Sequence, residues 1–128
     1  MEITFNITEE QLTDQLCTAL EGGSNYWYYL GDIDRTHFIK GQTLVDNLIR
    51  SFLADKDYKL PVYDIESAEE FEEMDKLGDV TYHSMARAFN IMSSDYPRQL
   101  GNILSGNYDG DDSDVWFQIA TMGEVVFG

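Results

Sequence analysis

The sequence predicts an α+β fold: a mainly helical single domain over residues 1–128, with short N-terminal, central and C-terminal strands. Three observations carry this. Helix-start signals recur along the chain, each ahead of apolar residues at helical spacing. Brief strand-like stretches stand at 2–7, 60–65 and 125–127. No repeat, low-complexity tract or linker divides the 128 residues, a length that supports one hydrophobic core but not two.

Ile3, Phe5 and Ile7 alternate with polar residues and predict the N-terminal strand. Thr8-Glu9-Glu10-Gln11 reads as a capping box in which the Thr8 hydroxyl accepts an early helical N–H and Gln11 reaches back. Leu12, Leu16, Ala19 and Leu20 then predict an amphipathic helix over about 9–21, closed by Gly22 or Gly23 in the left-handed conformation. Four large aromatics, Tyr26 to Tyr29, follow, and they cannot all face one way on a helix or a strand. Trp27 is the best candidate for the core, since its large apolar area anchors packing and its N–H needs one acceptor. Residues 31–34 read as a loop, and Thr43 opens a helix that ends near Ala54. Leu60–Ile65 predicts an edge strand, because Pro61 has no N–H to donate to a ladder.

Ser67-Ala68-Glu69-Glu70 resembles a further capping box and predicts a short helix through Phe71, Met74 and Leu77, stopped by Gly78. Thr81 starts a helix with Met85, Ala86, Phe89 and Met92 on one side. Asp95-Tyr96-Pro97 places proline in the first turn of another, carrying Leu100, Ile103 and Leu104. The stretch Asp109–Asp114 reads as loop and cap ahead of Val115–Met122, and Val125–Phe127 predicts the last strand.

Net charge is −16, unevenly placed. Residues 1–34 have seven acids and no Lys or Arg, residues 35–59 have five bases against three acids, and residues 60–128 have fourteen acids against three bases. Such a field disfavours direct binding to nucleic-acid phosphates and suits a basic partner, or serves solubility alone. No apolar run approaches the ~20 residues of a bilayer helix, so no membrane association is expected. The N-terminus lacks the basic and apolar regions of a signal peptide, and the single Cys17 forms no internal disulfide. A cytoplasmic protein is expected.

No catalytic, cofactor or metal set stands out. Cys17 lies near an apolar helix face in acidic surroundings, whereas a reactive thiol needs an electropositive setting. His37 and His83 are far apart and match no metal-ligand spacing. A calcium loop starting at Asp109 fails at Asp114, which stands where the turn needs glycine, and at Ala120, which stands where a bidentate glutamate is needed. Residues 64–79 contain eight carboxylates and one lysine. On a helix, Glu66, Glu69, Glu70 and Glu73 would line the outer face while Phe71 and Met74 point inward. That face is either solvated surface or a phosphate-mimicking array. With Asp109, Asp111 and Asp112 these glutamates are the candidate partner-binding residues. Tyr26, Tyr28 and Tyr29 are the candidate stacking residues for a nucleotide-like ring, the alternative reading.

Two segments carry a family resemblance. The corner Ala19-Leu20-Glu21-Gly22-Gly23-Ser24-Asn25-Tyr26-Trp27 resembles an ALEGG-x-NYW signature, and Asp114 to Gly128 is similar to a D-x-x-x-Q-x-A-x-x-G-E-[IV]-V-[YF]-G terminus. Both belong to a group of small phage and prophage proteins in which a helix like Thr81–Met92 lies between them. The resemblance covers the two ends and not residues 31–66. It implies a phage-related accessory protein of the bacterial cytoplasm and supplies no catalytic residues. The expected function is therefore non-enzymatic: binding a host or phage macromolecule, with acidic faces engaging a basic nucleic-acid-binding protein, as a host-defence inhibitor or DNA mimic would. Trp27 is expected to be buried against Val125–Phe127.

Overall fold

The computed structural model describes residues 7–128, so the strand expected over 2–7 lies almost wholly outside the described residues. The helices are α1 (Glu9–Thr18), α2 (Leu44–Ala54), α3 (Tyr82–Asp95), α4 (Pro97–Ser105) and α5 (Gly110–Met122). The strands are β1 (Tyr28–Leu30), β2 (Leu60–Asp64) and β3 (Lys76–Val80), forming one antiparallel sheet in the order β1-β2-β3. This is the mainly helical α+β domain expected. Among the described residues no helix is long and apolar enough to cross a membrane.

Local signals start α1, α2, α3 and α4 where expected, while α5 starts at Gly110, earlier than Val115. Thr8, Thr43, Thr81 and Asp109 each accept a backbone N–H of the first helical turn, and reciprocal bonds complete capping boxes at Thr8, Thr81 and Asp109. Pro97 opens α4. Helix α5 is the hub: α1, α3, α4 and β3 all pack against it, and Trp116, Phe117 and Ile119 are buried around it. Phe52, Leu48, Leu60, Met85, Phe89 and Met92 extend this core.

Five expectations are corrected. Helix α1 does not close on a left-handed glycine. It widens into a π-turn over Ala19–Gly23, where Ser24 N–H donates to Ala19 C=O at 2.8 Å. The stretch read as loop and cap is helical from Gly110 onward, because the Asp109 side chain caps the helix there. Strand β2 is central rather than an edge; β1 stops with Leu30 opposite Val62, so at Pro61 only β3 pairs and the missing N–H is tolerated.

The helix expected over 67–77 does not form; one 3₁₀ turn, Phe71–Glu73, stands there, and Gly78 lies inside β3. The Ser67 hydroxyl donates to Asp64 C=O at 2.7 Å and accepts from Asp75 N–H at 2.8 Å, stapling the ends of a loop instead of capping a helix. Like charges three and four residues apart also oppose a helix here. Finally, Val125–Phe127 joins no sheet. The Val126 and Phe127 N–H groups are taken instead by a side chain of α5.

Candidate functional site

The two signature segments meet at a buried carboxylate. The Gly23 and Gly110 backbones touch, and a β-carbon on Gly23 would overlap the Gly110 carbonyl. This contact brings the end of the π-turn onto the first turn of α5, one turn from Asp114. Asp114 is only 7% exposed and has no cationic partner among the described residues. Its Oδ1 accepts from Ser24 Oγ at 2.6 Å and Trp27 Nε1 at 2.7 Å. Its Oδ2 accepts from the Tyr26 hydroxyl at 2.6 Å and Gln118 Nε2 at 3.0 Å. All four partners donate, so an acceptor-only carboxylate satisfies the set.

Gln118 lies one helical turn beyond Asp114 and carries the connection to the tail. Its Oε1 accepts from Val126 and Phe127 N–H, both at 2.8 Å, and its Nε2 donates to Phe127 C=O at 3.1 Å. Gly123, at φ 83°, turns the chain back out of α5 so that the tail can reach this amide. The Phe127 ring then stacks on Trp27 at 5.4 Å, and Phe117 meets the same indole at 5.5 Å. Trp27 is 1% exposed, as expected of the core anchor beside Val125–Phe127.

Above this buried network lies a surface trough of about 530 Å³ lined by Thr18, Glu21, Gly22, Tyr26, Gly110 and Asp111, among others. Tyr26 lines this trough and is 45% exposed, while its hydroxyl is tied to Asp114. Burial of that hydroxyl, reinforced by its bond to Asp114, pushes the Tyr26 pKa up to about 12. Tyr26 and Asp111, assigned from sequence to different binding modes, thus share one trough.

The three candidate stacking tyrosines do not share a wall. Tyr28 turns inward and donates to Leu20 C=O, while Tyr29 lies on Phe71 at 5.5 Å. Neighbouring strand residues point to opposite faces, which separates them. The candidate acids also divide. Glu66, Glu69, Glu70 and Glu73 are exposed on the 64–75 loop, although not as one helix face. Phe71 pins this loop to the sheet, packing on Tyr63 at 4.8 Å and sitting where a Gly31 side chain would be. The loop begins beside the corner, since Ile65 N–H donates to Trp27 C=O at 3.0 Å.

Asp109 and Asp111 are exposed, but Asp112 is corrected from partner-facing to buried. It accepts from Asp109 N–H and Asn102 Nδ2, joining α4 to the start of α5. Cys17 is half-buried, and its thiol pKa is raised by burial and then by Glu21, the setting of an unreactive thiol. Among the described residues no three His, Cys, Asp or Glu side chains are gathered as metal ligands.

Asp114, Gln118 and Ser24 were not singled out from sequence as site residues. Their signal was the four-residue spacing of Asp114 and Gln118, which places the two on one face of α5. Comparisons with protein-family models, curated proteins and solved structures find no match for this chain.

Proposed function

We propose that this is a non-enzymatic accessory protein of phage or prophage type that acts in the bacterial cytoplasm by binding a host or phage macromolecule. The partner is a protein with a basic surface of the kind that otherwise holds nucleic acid. The observation that carries this reading is the state of the acidic loop. Glu66, Glu69, Glu70 and Glu73 stand exposed, and among the described residues the one ion pair is Lys76–Asp79 at 2.9 Å. These carboxylates are therefore available to a partner, and Phe71 holds the loop that bears them against a folded sheet. Preorganised charge of this kind speeds encounter and selects a partner of opposite sign. The close packing of the two signature segments on Asp114 supports treating them as one unit.

Retention of a partner from host lysate at low and moderate salt tests the proposal. A variant with Glu66, Glu69, Glu70 and Glu73 changed to Gln, together with Asp111→Asn, is expected to lose the partner at moderate salt. Undiminished retention by that variant overturns the charge-driven reading.

A further inference from the structure

We propose that the trough beside Tyr26 receives the guanidinium of an arginine side chain, stacked on the Tyr26 ring and held by Glu21 and Asp111. The inference rests on the basic-partner reading and names the group of that partner which is recognised. Four observations converge on a cation. The exposed Tyr26 ring is held by a hydroxyl that donates to the buried Asp114 carboxylate at 2.6 Å, and that bond enriches the ring face a cation prefers. The trough bears the carboxylates of Glu21 and Asp111 and no Lys or Arg.

Glu21 also stands in the last turn of its own helical segment, where a negative charge opposes the helix dipole and no basic residue offsets it. Within the chain the Cys17 thiol lies against Glu21, and among the described residues no cation neutralises its charge. Lastly, among the described residues no donor meets the Glu21 and Gly22 carbonyls at the end of the π-turn. The positive end of α5 lies nearby, but its charge of about one half is exceeded by Asp109 and Asp111 together.

Arginine fits these features better than lysine. A planar guanidinium lies flat on a ring while its N–H groups point outward in the plane, towards carboxylates and carbonyls at the rim. An ammonium is more strongly hydrated and offers no flat face.

The experiment titrates the full chain with N-acetyl-arginine amide, following the backbone amide resonances of Gly22, Gly110 and Asp111 in the trough, with the citrulline and lysine amides as comparisons. Saturable shifts with arginine are expected, with affinity at least about fivefold weaker for lysine and no saturation for citrulline. Tyr26→Leu should weaken binding at least about tenfold, and Tyr26→Phe, which keeps the ring but loses the bond to Asp114, by less. Because Tyr26→Leu disturbs the buried network, Glu21→Gln with Asp111→Asn provides an arm at two exposed positions. Fluorescence of the two buried tryptophans, Trp27 and Trp116, verifies that each variant is folded. No saturable arginine shift, equal binding of citrulline, or unchanged affinity in the Glu21→Gln/Asp111→Asn variant overturns the proposal. Arginine binding without any salt-sensitive partner retention would leave this site standing and remove the partner reading. Partner retention that is indifferent to Tyr26→Leu, with no arginine shift, would do the reverse.

Discussion

Asp114 shows how one buried polar residue can join segments far apart in sequence. Its bonds to Ser24, Tyr26 and Trp27 span 87 to 90 positions, and each donor would be left unpaired without it. Orphaning a buried donor costs about 1–3 kcal/mol. Asp114→Ala orphans the Ser24 hydroxyl and the Trp27 N–H together, so a loss of roughly 2–5 kcal/mol is expected from urea denaturation. A loss under about 1 kcal/mol would mean that water or a shifted neighbour replaces the carboxylate. Tyr26 makes the same network sensitive to alkali. Its pKa is raised in the folded state to about 12 from an ordinary 10, so the folded form holds its proton where the unfolded form releases it. The resulting stabilisation is complete below pH 10 and is lost as pH rises towards 12. Tyr26→Phe should remove the highest step of the tyrosinate absorbance titration and flatten the stability decline over that window.

At the scale of elements, the helices are set by chemistry within a few residues, and the sheet by contacts between distant ones. The cap at Thr81 illustrates the first case. Thr81→Ala removes the acceptor for Ser84 N–H and should cost about 1 kcal/mol by thermal unfolding, without changing the fold. Strand β3 illustrates the second. It lies so close to α5 that a β-carbon at Gly78 would overlap the Thr121 carbonyl. Gly78→Val should therefore force β3 off the helix and cost several times the Thr81 substitution, with early exchange of the β2 and β3 amides as the check. In the acidic loop between β2 and β3 the apolar residues Phe71, Met74 and Leu77 fall at helical spacing, which is why the sequence there predicts a helix that does not form. The loop's true anchor is the Phe71 ring on Tyr29 and Tyr63, residues of β1 and β2 that sequence spacing does not bring together.

For the whole molecule, charge is the dominant variable. A net charge of −16 with one ion pair among the described residues leaves self-repulsion largely uncompensated. Raising ionic strength from about 0.01 to about 0.15 M shortens the Debye length from roughly 30 to 8 Å and should raise the melting temperature. A fall in melting temperature over that range would show that attractive pairs outweigh repulsion. The same salt should weaken retention of a basic partner, so stability and binding are expected to move in opposite directions. That opposition separates a charge-driven contact from a contact made by apolar burial.

What the sequence determined by itself was whatever depends on near neighbours. Thr8, Thr43 and Thr81 mark helix starts because capping acts within one turn, and the burial of Trp27 follows from the size of its side chain. The mainly helical α+β class follows from those same signals. The tertiary structure alone decided the central place of β2, the loop at 64–75 and the C-terminal tail held by Gln118. It also decided that Asp114 would be buried among donors and that Asp111 and Tyr26 would face one trough. Each of these outcomes depends on a partner tens of residues away, where a hydrogen bond or a ring contact outweighs the local preference of the segment.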